Sequence, residues 1–307
     1  MKRIEFKAMG SRILAVLDCA ASVGEQALER VPAWFEAWEQ LLSRFRPGNE
    51  LDRLNKSNGR PMVVSRTFWE VFQASCSAEK FTGGLVTPTI LDSLARLGYD
   101  RSFELLPPMQ TGHLYTSPGK PGPTGAIVWD LPTRSLVLPE SVHLDLGGIA
   151  KGWAADRAVR RLSHYGPALV AAGGDIAISG SLTDGQAWPI GIEDPFTIGT
   201  HFEILKLARS GVATSGKDYH RWLKDGIWQH HIIDPRTGLP ADTDVLAATV
   251  VAPSVMEAEA AAKAVLILGS QAGLEWLEAD SGLAGVLVLE NGTRIYSDNM
   301  EKHLWIN

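Results

Sequence analysis

The sequence predicts an α+β fold in which helices pack on mixed or antiparallel sheets. Three observations carry this reading. Strand-like segments in the second half follow one another with few helices between them, which favours antiparallel pairing over a doubly wound sheet. The first half reads mainly as helices after one early strand. A helix near the C-terminus, Val255–Leu268, is apolar almost all round and is therefore expected to be buried.

Taken in order, residues 13–17 read as a strand after a Gly10-Ser11 turn. A long amphipathic helix fits residues 24–44, with Ala27, Leu28, Val31, Phe35, Trp38 and Leu42 at helical spacing, and Pro32 is placed to kink or split it. Further helices are expected over 67–80 and 90–97. Residues 105–124 are rich in Pro and Gly and lack periodicity, marking a variable loop within a single domain of residues 1–307. Residues 127–129 and 135–138 read as a hairpin around Pro132-Thr133-Arg134. Short strands follow at 168–171, 176–179, 189–193, 211–214, 230–233, 247–252 and 284–289. The Val255–Leu268 helix has clear ends: Ser254 and Glu257 form a capping box, and Gly269 closes it. Glu259 and Lys263 remain as charges four residues apart on a buried helix, where unpaired groups would each cost several kcal/mol.

Composition narrows the function. A net charge of −6 without a compensating basic run argues against a nucleic-acid surface. The two cysteines, Cys19 and Cys76, supply neither a disulfide framework nor metal-ligand spacing. The apolar stretch 260–268 is interrupted by Lys263 and too short for a bilayer, so no membrane insertion is expected. The N-terminus shows no evident signal peptide, and the expected location is the cytoplasm.

The most informative segment is Asp145-Leu-Gly-Gly148-Ile-Ala-Lys151-Gly, where an extended run meets a helical pattern. A helix opened by glycine presents unpaired N–H groups and a partial positive charge, which suits a phosphate. Asp145 offers a hydrogen-bond acceptor there, and Lys151 a cation for an anion. The same segment also reads as an ordinary tight turn with two solvated charges. Other polar or glycine clusters end strands at Thr82-Gly83-Gly84, Ala172-Gly173-Gly174-Asp175, Ala213-Thr214-Ser215-Gly216 and His231-Ile232-Ile-Asp234-Pro-Arg-Thr237-Gly238. Singly each is weak; the last fits a turn, and His231 fits a hydrogen-bonded core histidine.

In combination and order, these motifs resemble the ApbE family, the FAD:protein FMN transferases. The resemblance covers nearly the whole chain and includes Met9-Gly10-Ser11 and the region from Ser43-Arg44-Phe45 to Leu54-Asn55. It implies a T-fold-related α+β fold and cleavage of the FAD pyrophosphate. FMN then passes to a Thr or Ser hydroxyl of an acceptor protein, with release of AMP. Alternatives within the resemblance are a FAD hydrolase giving FMN and AMP, and a FAD-binding relative without transfer. The resemblance places Met9, Asp145, Lys151, Gly173, Gly174, Asp175, Thr214, Ser215, Gly216, His231 and Ile232 at the flavin nucleotide. It makes His231 or Asp234 the candidate base; an imidazole suits that role because its unperturbed pKa lies near neutrality. It also implies magnesium, with Gly148 at a metal-facing backbone position.

Four positions, in three segments, depart from the family pattern. The family's metal-binding Asp and Thr are matched here by Glu259, which still offers a metal a hard oxygen ligand on a longer arm, and by Lys263. A protonated lysine has no lone pair and brings a positive charge where the metal would sit, so Lys263 is expected to replace part of the magnesium charge. Thr87 and Ala171 stand where the family usually has Asp and Asn.

Overall fold

Two strands, Lys2–Ala8 and Ser11–Leu17, open the chain and pair through a two-residue turn. Its residues Met9 and Gly10 both have positive φ, 52° and 65°, as the hairpin turn that matches strand twist requires. The structure is a computed structural model that describes residues 1–19, 22–107, 109–111, 119–197 and 199–305. The chain divides into two units, one of Met1–Glu36, Lys151–Asp218 and Thr243–Asn307, the other of Ala37–Ala150 and Tyr219–Asp242.

The first unit holds an eight-stranded sheet in which every neighbouring pair is antiparallel. Its order is Lys2–Ala8, Ser11–Leu17, Ala168–Ala172, Asp175–Ile178, Ser210–Gly216, Val245–Ala252, Ala284–Leu289 and Arg294–Tyr296. The Val255–Leu268 helix packs on the Ser210–Gly216 and Val245–Ala252 strands, and Ser270–Glu278 packs beside it. Small side chains permit that approach: Ala258, Ala260, Ala261, Ala262 and Ala264 are all fully buried. The expected capping box is present, with the Ser254 hydroxyl accepting from the Glu257 N–H and the Glu257 carboxylate accepting from the Ser254 N–H. A separate antiparallel pair, Trp188–Glu193 with His201–Leu207, turns Trp188, Ile190 and Ile192 inward to a core shared with Val16, Val212 and Val286.

Asp156, on the Gly147–Leu162 helix, is buried against the first N–H groups of Val255–Leu268. Burial pushes its carboxyl up to about 6, although the N–H groups of Met256 and Val255 oppose this. The folded state thus holds this proton more tightly than the unfolded chain, so stability is lost as pH rises from the ordinary carboxylate range up through about 6 and stays lost above it. Asp156→Asn is expected to stabilise the protein by about 1–3 kcal/mol at pH 7.5 and hardly at all at pH 4. Urea midpoints at the two pH values check this, and equal gains at both would refute it.

The second unit carries the helices Glu50–Asn55, Arg66–Phe81 and Leu91–Arg96. The expected hairpin is Val128–Asp130 with Ser135–Val137, extended by Met62–Val63. A second small sheet orders Ile227–His230, Arg221–Lys224 and Met109–Gln110, the last two parallel, so the fold is mixed as well as antiparallel. Leu94, Leu97, Trp222 and Ile233 form a local core.

Several sequence expectations change. The helix over 24–44 is split, as the position of Pro32 allowed, into Ser22–Glu29 and Val31–Leu42, with Pro32 in the first turn of the second, where its missing N–H is not needed. The strand over 230–233 is replaced by Ile227–His230 and a separate Ile233–Asp234, because Ile232 N–H turns back to the His230 ring. Strands Lys2–Ala8, His201–Leu207, Arg221–Lys224 and Arg294–Tyr296 were not anticipated, nor was the Ser270–Glu278 helix. Of the loop at 105–124, residues 108 and 112–118 lie outside the described residues; the remainder includes Met109–Gln110 and a 3-10 turn at Thr124–Ala126.

Candidate active site

Within the first unit, antiparallel register gathers several of the motifs at one end of the large sheet. The Gly173-Gly174 turn, with φ of 64° and 98°, joins Ala172 to its partner Asp175. Gly173 N–H donates to the Arg12 carbonyl at 3.1 Å, and a Cβ on Gly173 would lie 2.6 Å from the Ser11 hydroxyl. The Met9-Gly10 and Gly173-Gly174 turns are therefore neighbours. Continuing the Val212↔Ile176 register carries Thr214 towards Gly174, and the exposed Thr214 shares a 2.8 Å hydroxyl hydrogen bond with Thr249 on the next strand. Ser215 is buried, and Gly216 ends the strand, where a Cβ would meet the Asp218 carboxylate at 2.3 Å.

Four charged side chains meet in the same unit. Lys151 Nζ donates to Asp175 Oδ2 at 2.6 Å and to Glu259 Oε1 at 3.2 Å. Lys263 Nζ donates to Glu259 Oε1 at 2.9 Å, so the pair expected from the four-residue spacing is present. Glu259 Oε2 accepts from the Gly152 N–H at 3.1 Å, an approach that needs glycine because a Cβ there would lie 2.6 Å from the same oxygen. Burial pushes Glu259 up, but the ammonium groups of Lys151 and Lys263 outweigh it and hold its pKa below the ordinary value. Burial would lower Lys151, yet Asp175 and Glu259 raise it and keep it charged. Asp175 is raised, chiefly by burial, against the opposing Lys151 charge. The sequence reading paired Glu259 with Lys263 alone; Lys151 lies 108 positions from Glu259, and no local pattern links them.

In the second unit, Asp145 is held firmly. Arg44 Nε lies 2.7 Å from its Oδ2, and the Gly147 N–H donates to its Oδ1 at 2.6 Å. Arg44 also donates to the Tyr99 carbonyl at 2.6 Å and lies over the Phe45 and Tyr99 rings. Asn55 clamps the preceding residue, accepting from the Leu144 N–H at 2.8 Å and donating to its carbonyl at 2.9 Å. The sequence reading did not foresee that Arg44 and Asn55 hold this segment. Asp145→Asn keeps the bond from Gly147 but leaves Arg44 facing a neutral amide; about 2 kcal/mol of stability should be lost. Chemical denaturation reads this, and a loss under 0.5 kcal/mol, roughly a surface-level effect, would show the pair to be dispensable.

Gly148 lies in the first turn of the Gly147–Leu162 helix. Asp234 accepts from Arg236 Nε at 2.9 Å and from its Nη2 at 2.8 Å, and from the Arg236 N–H, so its carboxylate is engaged within its own turn. His231 packs edge-on against His220 at 5.1 Å between ring centroids, and His220 in turn against Phe103. Ile232 is buried, and its carbonyl accepts from the Ala241 N–H. Where the family has an acid, Thr87 joins a hydroxyl chain to Thr89 and Thr124, which ends on Glu79.

A divalent cation does not fit the residues present. Its carboxylate ligand would be Glu259, whose Oε1 already faces two ammonium groups and whose Oε2 faces an N–H. Among the described residues, no three His, Cys, Asp or Glu side chains are grouped to hold a metal. Among the same residues, no helix is long and apolar enough to cross a membrane.

A sequence model described as the ApbE family matches residues 9–287. A protein of Treponema pallidum (strain Nichols) named FAD:protein FMN transferase is 30% identical over 284 residues, 85% of this chain and 76% of that protein. One of the same name from Haemophilus influenzae is 28% identical over 295 residues, 92% of this chain and 84% of its own length. The ApbE crystal structure from Thermotoga maritima superposes with a TM-score of 0.87 at 23% identity, covering 99% of each chain. The apo flavinyl transferase ApbE of Pseudomonas stutzeri gives 0.82 at 23% identity, covering 100% of this chain and 97% of its own. At that identity the two superpositions speak for the fold alone.

Proposed function

The chain belongs to the ApbE family, and we propose that it works as an FAD:protein FMN transferase. The substrates are FAD and an acceptor protein with a Thr or Ser hydroxyl; the products are FMN-bearing acceptor and AMP. The hydroxyl oxygen attacks the FMN phosphorus, the bond from that phosphorus to the AMP oxygen breaks, and the hydroxyl proton passes to a base. The observation that carries this reading is the convergence of the Met9-Gly10, Gly173-Gly174 and Thr214 segments at one end of the sheet, beside Asp175, whose partner Lys151 comes from the Gly147–Leu162 helix. Charge spreads over the phosphate oxygens in such a displacement, so cations and N–H donors do most of the stabilising.

Each unit carries candidate residues of its own. In the first, Lys151 offers positive charge, while Thr214, Ser215 and Gly216 offer polar backbone and hydroxyl groups to the nucleotide. In the second, Asp145 is fixed as an acceptor by Arg44, and Ile232 places its backbone beside His231. His231 is the better candidate base, because Asp234 is occupied by Arg236. Residues 1–307 act in this reading as one flavin transferase domain, supported by a family match that runs through segments of both units. The protein works in the cytoplasm, where the free thiols of Cys19 and Cys76 stay reduced. No step is assigned to magnesium, since the residues present do not accommodate it.

The test is AMP release from FAD with an acceptor domain present and its mass recorded. Equal amounts of AMP and FMN-bearing acceptor are expected. AMP without a change in acceptor mass would make the protein a hydrolase, and bound FAD without AMP a binding protein; either result overturns the transferase reading.

A further inference from the structure

The Lys151–Asp175–Glu259–Lys263 cluster balances two positive and two negative charges, but not evenly in space. The Glu259 side chain is 0% exposed and that of Asp175 3%, whereas Lys151 and Lys263 keep 26% and 14% of their side-chain surface open. The carboxylates are thus enclosed, and the two lysines are the members of the cluster that keep open surface. The two lysines are also fixed in place: Glu259 Oε1 holds both, at 3.2 and 2.9 Å, and Asp175 takes a second bond from Lys151. Cations already ordered by buried partners lose little further freedom on meeting an anion.

We propose that Lys151 and Lys263 form a metal-free phosphate subsite, in which two tethered ammonium groups take the pyrophosphate of the substrate without a divalent cation. For its ligand this rests on the flavin-transferase reading. For its chemistry it rests on the misfit between the cluster and a divalent cation. Glu259 is here a counter-ion that orients two lysines, and its buried carboxylate has no face left for a metal. Lys263, fixed to the helix backbone, supplies charge that does not depend on the metal concentration around the protein.

The experiment uses the full chain with two probes, inorganic pyrophosphate and Mn²⁺. Calorimetry with EDTA present should show pyrophosphate binding, and Mn²⁺ added alone should give no protein-bound signal by electron paramagnetic resonance. Lys263→Met should weaken pyrophosphate binding by about 10-fold or more, the loss typical of one charge-assisted contact. The pair Glu259→Gln with Lys263→Met removes one charge of each sign, so it guards against an effect of imbalance on folding; it should lose the same affinity. Glu259→Asp with Lys263→Thr should acquire Mn²⁺ binding. The proposal is overturned if the unaltered protein binds pyrophosphate only with Mg²⁺, if it binds Mn²⁺ through Glu259, or if the folded charge-neutral pair binds pyrophosphate normally. Pyrophosphate binding that depends on Lys263, in a protein that releases no AMP from FAD, would leave the subsite standing and remove the transferase reading; AMP release that requires Mg²⁺ would do the reverse.

Discussion

Glu259→Ala is expected to lower the unfolding free energy by about 3–5 kcal/mol, the cost typical of removing one partner from a buried ion pair. The side chain is fully enclosed and takes three hydrogen bonds, from Lys151, Lys263 and the Gly152 N–H. Lys151 would keep Asp175, but Lys263 would lose its carboxylate and Gly152 its acceptor. The cavity left by the carboxylate adds to the loss. Glu259→Gln should fall between the two, because the amide oxygen can still meet the N–H. Combined with Lys263→Met, Glu259→Gln should cost less than the sum of the single changes, since each single change strands the other's charge. Urea denaturation of the unaltered protein, Glu259→Ala, the two single changes Glu259→Gln and Lys263→Met, and their pair measures all of this. A loss below about 1 kcal/mol for Glu259→Ala would mean that water replaces the carboxylate and that the cluster does not hold the helix to the sheet.

The second large effect is at Gly211. A Cβ built there would lie 2.0 Å from Val255 N, 2.2 Å from the Ser254 carbonyl carbon and 2.3 Å from Val255 Cα. All three are backbone atoms at the start of a helix whose first turn is fixed by the Ser254–Glu257 capping box. No rotamer change relieves such contacts, so the helix must move off the strand. Gly211→Ala should therefore cost about 3 kcal/mol or more, at the upper end for overpacking. Gly180→Ala is the control: nothing lies within 4 Å of a Cβ there, and its effect should stay within about 0.5 kcal/mol. Equal melting temperatures for the two variants would sink the argument from close approach.

The sequence could be read where the physics is local. Ser254 and Glu257 are three residues apart, and their reciprocal bonds close within one helical turn. Gly173-Gly174 announces a turn because two successive positive φ angles favour glycine. The break near Pro32 follows from one missing N–H. Strands at the edges were harder to see. Lys2–Ala8 alternates charged with apolar residues but is largely exposed, and Arg294–Tyr296 has three residues, too few for a period to register. His201–Leu207 buries fully only Leu205 and Leu207. At the candidate site, motif order pointed to the right family, yet the partners of the key charges were invisible. Asp145 is fixed by Arg44, and Lys151 meets Asp175 24 positions away and Glu259 108 away. Such pairs exist only once the sheet has brought the strands together, and a single sequence records no trace of them.

The order of the large sheet has a consequence for how it is made. Its eight strands stand side by side in the order in which they occur in the chain, from Lys2–Ala8 at one edge to Arg294–Tyr296 at the other. No strand has to be threaded between two that have already met, so the topology lets the sheet grow by accretion at one border as the chain emerges during synthesis. Closing a long loop adds only slowly to the entropy already lost. In such growth the excursion between Leu17 and Ala168 is mainly a wait, the longest between neighbouring strands of this sheet, before the open edge of the first hairpin gains its partner.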